Sequence, residues 1–197
     1  MKLTKIEPKY LKKHNPRIGL ITLASDFRIE KDFNNVIYGK DIDLYCNRIK
    51  CYNPLTNETL KKMADDIPKV TEDILPDQKL DCVAYGCTSG TIAAGYQSIF
   101  DKVNSAKPNT KVTTPITSAI NALKSLKIKR LSIFTPYTDE INQSVTNYFK
   151  KENIEIDGLS YFDISSDLDI GKVDPQHLFD TLTKIDLSKS DALFVSC

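Results

Sequence analysis

The feature that most limits what this chain can fold into is a pattern it carries twice. RIGLITLASD, Arg17 to Asp26, is matched by RLSIFTPYTD, Arg130 to Asp139: a basic residue, an apolar run, then a polar turn closing on aspartate. DCVAYGC, ending at Cys87, is matched by DALFVSC, ending at Cys197, with an aspartate six residues before the cysteine in both. From turn aspartate to cysteine is 61 residues in one copy and 58 in the other. Two similarly built halves are expected, divided as 1–112 and 113–197.

Periodicity says what each half is made of. Short apolar runs bounded by polar, Gly or Pro residues read as buried strands: Arg17–Ala24, Ile42–Cys46, Asp81–Tyr85, Arg130–Phe134, Asn153–Ile156 and Asp191–Val195. Between them, Pro115–Leu126 and Asp139–Lys150 place their apolar residues on one helical stripe. Asp174-Pro175 reads as N-cap and first residue of another helix. Alternation of strand and helix predicts an α/β fold of two pseudo-symmetric halves with mostly parallel sheets. Ligands of such sheets sit at the carboxyl ends of the strands, where both turns and both cysteines fall. Halves facing one another would bring Cys87 and Cys197 to one cleft from opposite sides.

Composition narrows the partners. Lys+Arg 27 against Asp+Glu 26 leaves a net charge of +1, which lacks the electrostatic footprint of a nucleic-acid or anionic-membrane binder. The basic, polar start MKLTKIEPKYLKKHNPR has no apolar core of a signal peptide, and no later stretch approaches the roughly 20 apolar residues of a membrane span. Five cysteines, an odd number in a chain of this size, read as free thiols in a reducing, cytoplasmic compartment rather than a disulfide framework. Cys46/Cys51 and Cys82/Cys87 share a C-x4-C spacing, but five-residue separation in strand-like stretches points to opposite faces. No metal site is expected, and Cys46, Cys51 and Cys82 are expected to be buried and inert. Neither G-x-G-x-x-G nor G-x-x-x-x-G-K-[ST] occurs, which argues against nucleotide chemistry.

Cys87 opens Cys87-Thr88-Ser89-Gly90-Thr91, and Ile92-Ala93-Ala94 reads as helix. A thiol at a helix N-terminus sits near unpaired amides and the positive end of the dipole, so thiolate is expected to be favoured. Thr88, Ser89 and Thr91 add hydroxyls that, with loop amides, could hold a carboxylate. Two thiols flanking one carbon suit removal of a proton from one face and delivery to the other, or addition to an activated double bond, with no cofactor.

YGCTSGT (Tyr85–Thr91), TTPITSAINAL (Thr113–Leu123), RLSIFTPYTDEIN (Arg130–Asn142) and the closing FVSC resemble the aspartate/glutamate racemase superfamily. Within it they look most like the branch holding maleate cis-trans isomerase, arylmalonate decarboxylase and the ectoine-utilisation protein. The resemblance implies a cofactor-free cleft between two α/β halves, with Cys87 as nucleophile or base and Cys197 as acid or base. It implies a small carboxylate substrate held by Ser25, Asp26, Thr88, Ser89, Tyr137, Thr138 and Asp167, and is compatible with a homo-oligomer. Arylmalonate decarboxylases differ in keeping the second cysteine alone.

Two departures shape the expectation. Maleate isomerases carry asparagines where this chain aligns Asp26 and Asp167. An ionised carboxylate can only accept hydrogen bonds and repels a dianion, so the resemblance shifts from maleate toward a substrate with an ammonium or amide group, and SDFRIEKDF (Ser25–Phe33) is closer to the ectoine-utilisation branch. The alternative for Asp26 is a turn or capping residue. The family also continues past the second cysteine for a few dozen residues, so an incomplete version of a longer protein is expected. The rival readings are a decarboxylating lyase and a non-catalytic small-molecule binding module.

Overall fold

The computed structural model describes residues 1–196; Cys197 lies outside the described residues. The first half runs β1 (Arg17–Leu23), α1 (Ile29–Ile37), β2 (Asp43–Ile49), α2 (Asn57–Met63), a 3-10 turn at Ala64–Asp66, α3 (Ile67–Glu72), β3 (Cys82–Tyr85), α4 (Thr88–Ala94), α5 (Tyr96–Ala106) and β4 (Lys111–Thr113). The second runs α6 (Pro115–Ser125), β5 (Arg130–Thr135), α7 (Asp139–Lys151), β6 (Glu155–Tyr161), α8 (Asp167–Ile170), α9 (Pro175–Leu182) and β7 (Ala192–Val195). Every pair is parallel, in one sheet of order β2-β1-β3-β4 and another of order β6-β5-β7. The first three strands of one sheet therefore correspond in order to the three of the other.

The central strands are the ones the sequence announces most clearly. β1 and β5 have neighbours on both sides and bury Gly19–Leu23 and Leu131–Thr135 completely or nearly so, hence their continuous apolar runs. β2 and β6 are edge strands with mixed burial, and their polar residues disguise their extent. β2 continues to Ile49 rather than stopping at Cys46, and β6 spans Glu155–Tyr161 rather than Asn153–Ile156. β4 is a three-residue edge strand that the sequence did not announce, and the expected division at 112/113 falls inside it.

The aspartates of the repeat hold the sheets in register. Asp81 Oδ2 accepts from the Arg17 amide at 2.7 Å, while the Asp81 amide donates to the Arg17 carbonyl at 2.9 Å. Asp191 does the same to Arg130, at 2.9 Å in both directions, and also accepts from the Lys129 amide. At the other end of these strands, Gly86 N–H donates to Ile21 O at 2.8 Å and Ser196 N–H to Phe134 O at 2.9 Å. Each pairing thus fixes where the chain leaves its sheet.

Helix ends follow local chemistry. Thr114 and Thr117 form a capping box before α6, with Pro115 at its first position. Asp174 caps α9 through the His177 amide at 2.8 Å, as its Asp-Pro pair implied. The halves are joined by named contacts. Asn57 donates through its amide and side chain to Glu140 at 3.1 and 3.0 Å, and Leu55 N–H donates to Ser165 O at 2.9 Å. α4 packs against both α6 and α7 of the second half.

The amides of Arg130 and Lys129, aided by the Arg130 guanidinium, hold the Asp191 carboxyl below its ordinary value of 3.8. Its stabilising contribution is therefore present above that value and lost as pH falls through the depressed folded-state value. Asp191→Asn should melt below the parent at pH 7, and the gap should narrow in melts at pH 3.

Candidate active site

Cys87 caps α4. Its backbone is extended, and its sulfur accepts from the Gly90 amide at 3.2 Å, with Ser89 Oγ at 3.8 Å. Thr91 Oγ donates to the Cys87 carbonyl at 2.6 Å, tying the first turn to the strand end. The close approach of amide and sulfur needs glycine at position 90. A Cβ there would stand 2.8 Å from Cys87 Sγ, 2.8 Å from Tyr85 Oη and 2.9 Å from Met63 Cε.

The expected bias toward thiolate is overturned. Cys87 is 6 % exposed, and burial pushes its thiol up to about 12. The Gly90 amide and the Ser89 hydroxyl pull it down, while Asp167 and Cys51 raise it further. One amide at the start of a seven-residue helix does stabilise the anion, but loss of water costs the charged form more. Cys46 is exposed on the edge strand β2, while Cys51 in the loop after it and Cys82 at the entry of β3 are half-buried, rather than the buried thiols expected. Among the described residues no three His, Cys, Asp or Glu side chains gather as metal ligands, and no helix is long and apolar enough to cross a membrane.

Ser25, after β1, donates its hydroxyl to Asp167 Oδ2 at the start of α8, a hydrogen bond that joins the halves. The Asp167 amide in turn donates to Asn53 Oδ1 at 3.2 Å. Asp167 is 8 % exposed, and burial raises its carboxyl pKa; Ser25 lowers it and Asp26 raises it. Asp26 Oδ1 accepts from the Arg28 and Ile29 amides at 2.7 and 3.0 Å, so it is a turn-closing residue at the head of α1, and it also faces the cleft. Tyr137 is buried, its hydroxyl sharing a 3.0 Å hydrogen bond with Ser196 Oγ. Thr88 and Ser89 are buried in the first turn of α4, and half-buried Thr138 precedes α7.

A cleft of about 360 Å³ opens between the halves. Asp26, Arg28 and Asp32 line it from the first half; Phe134, Asp167, Gly171, Leu178 and Ser196 are among its walls from the second. Of the expected site residues Asp26 and Asp167 are on its wall, whereas Ser25, Cys87, Thr88, Ser89, Tyr137 and Thr138 are not; the charge of Asp167 is felt at Cys87. Sequence reasoning missed Arg28, whose Nε donates to Gly171 O at 3.3 Å across the cleft.

Two parallel sheets in matched order, with a cleft between the halves and a thiol capping the helix after a strand end, give the α/β fold of solved maleate isomerase and arylmalonate decarboxylase chains. A family model described as arylmalonate decarboxylase matches residues 96–197. The chain belongs to that family. It is 23% identical over 194 residues to a maleate isomerase of Geobacillus stearothermophilus, covering 91% of this chain and 76% of the relative. Against a Nocardia farcinica maleate cis-trans isomerase, solved as a cysteine-to-serine mutant with a covalently bound succinylcysteine intermediate, the TM-score is 0.80 at 18% identity, covering 90% and 76% of the two chains. A liganded arylmalonate decarboxylase mutant gives 0.76 at 19% identity, covering 92% and 77%.

Iodoacetamide labelling of Cys87, followed by peptide mass spectrometry, should accelerate about tenfold per pH unit between pH 7 and 10, because the reactive thiolate remains a minor species throughout. A plateau near pH 7 would show that the helix amide outweighs burial.

Proposed function

We propose that this protein is a cofactor-independent isomerase or racemase acting at a carbon next to a carboxylate, with Cys87 and Cys197 as the paired acid and base. The observation that carries this reading is the placement of Cys87: at a strand end, capping a helix, with its sulfur held by the Gly90 amide. The repeat in the sequence assigns Cys197 the matching position. The maleate isomerase names among its relatives support the reaction class.

The cleft carries three carboxylates, Asp26, Asp32 and Asp167, against one guanidinium, Arg28. That balance disfavours a dicarboxylate dianion and favours a substrate whose carboxylate is accompanied by an ammonium or amide group, bound with Arg28 toward the carboxylate. Such a preference fits the ectoine-utilisation branch better than maleate itself, in a cytoplasmic setting. Ser25, Asp26, Asp167 and Tyr137 are the residues proposed to hold the substrate, with Thr88, Ser89 and Thr138 completing the two helix starts.

The family description supports a second reading, decarboxylation, in which one thiol delivers a proton to the carbanion left by carbon dioxide. Incubation with maleate and with a set of amino and N-acyl amino carboxylates in deuterated water distinguishes the readings. Racemisation or isomerisation with deuterium at the reacting carbon is expected for a nitrogen-bearing substrate, and Cys87→Ser should abolish it. Carbon dioxide release would identify the lyase, and undiminished exchange in Cys87→Ser would remove that thiol from the reaction.

A further inference from the structure

Tyr85 is fully buried, yet its hydroxyl has no hydrogen-bond partner among the described residues. Burying a hydroxyl without a partner is costly, and phenylalanine would fill the same space without that cost. Structural packing alone therefore gives no reason for the oxygen. Its surroundings do. Tyr85 ends β3 and Cys87 follows two residues later, so strand alternation sends both side chains to the same face.

Gly90, one turn into α4, closes over them. The site its Cβ would occupy is 2.8 Å from both the Cys87 sulfur and the Tyr85 phenol oxygen, with the Met63 methyl at 2.9 Å. Sulfur and phenol thus face each other across the space that any larger residue at 90 would fill. The phenol senses the sulfur, which is among the causes that raise its pKa after burial itself, so Tyr85 keeps its proton at neutral pH. The phenol makes no hydrogen bond of ordinary geometry in this structure, yet the sulfur is near enough to act on it as a hydrogen-bond partner.

We infer that Tyr85 is a positioning residue for Cys87, an uncharged O–H held in reserve to donate to the sulfur whenever it becomes a thiolate. This rests on the reading that Cys87 cycles between thiol and thiolate. A protonated thiol is a weak acceptor, whereas a thiolate accepts strongly. A donor inside the buried pocket supplies in the charged state what water cannot. Together with the Gly90 amide it gives the anion two hydrogen bonds from opposite elements, a strand end and a helix start.

The test reads the thiol directly, without substrate. In Tyr85→Phe, iodoacetamide labelling of Cys87 at pH 9 should fall about tenfold, equivalent to an upward pKa shift of about one unit, while labelling of exposed Cys46 in the same sample is unchanged. With a turned-over substrate, kcat should fall and KM should hold. As a second variant, 3-fluorotyrosine at position 85 retains size and strengthens the donor, so it should accelerate Cys87 labelling. Labelling rates that are the same in parent, Tyr85→Phe and fluorotyrosine proteins would overturn the inference. Loss of the thiol effect and loss of the reaction are separable, since Cys87→Ser tests the reaction and Tyr85→Phe tests the sulfur.

Discussion

Everything at the cleft depends on where two strands stop. A parallel sheet leaves its ligand-binding residues at the carboxyl ends, and a slip of one residue would turn each of them to the opposite face. The repeated aspartates prevent that slip at the far end of the sheet. Asp81 and Asp191 each grip the first amide of the neighbouring central strand, and Gly86 and Ser196 close the other end of the same pairings. The distance from clamp to strand exit is therefore the same in both halves. The reacting end inherits its symmetry from hydrogen bonds made on the side of the sheet farthest from it.

The two halves share that frame but differ in what they place on it. In the first, Asp26 bends the turn after β1 by accepting two amides, and Ser25 beside it reaches across to Asp167. In the second, Asp139 is simply the first residue of α7, its carboxylate accepting from Gln143 at 2.9 Å in solvent. The Ser25–Asp167 bond and the Arg28–Gly171 contact tie the first turn of one half to α8 and its end in the other. Charge in the cleft follows from these loops and owes little to the sheets.

This difference explains which parts of the molecule were legible in the sequence. β1, β3 and β5 are buried on both faces, so continuous apolar runs declared them. The edge strands have irregular exposure, so the apolar runs mark them too short, while α1 fully buries none of its residues and keeps its Ile29, Phe33, Ile37 stripe only half-buried. Cys87 was legible because a cysteine closing an apolar run before Ser, Gly and Thr is unusual chemistry in a small space. Its protonation was not. The helix-terminal position is visible in sequence order, whereas the degree of burial that opposes it is a property of packing by α4, β3 and their neighbours.

That competition bears on how the proposed reaction would begin. Bringing a thiol from about 12 to neutrality would take about 7 kcal/mol, at 1.36 kcal/mol per unit. A single charge-assisted hydrogen bond supplies about 1.5–3 kcal/mol, and the Gly90 amide is already in place. Tyr85 could reduce the gap without closing it. A resting thiolate at Cys87 is therefore the wrong starting state for this pocket, and a resting thiol is the right one. For the two-thiol proton transfer proposed above, that state suits Cys87 to the role of acid, its sulfur becoming anionic as the proton passes to the carbon. The Gly90 amide and the Tyr85 hydroxyl act at that moment, when charge appears inside a site that excludes water. Burial keeps the proton on the sulfur, and the two donors limit the cost of giving it up.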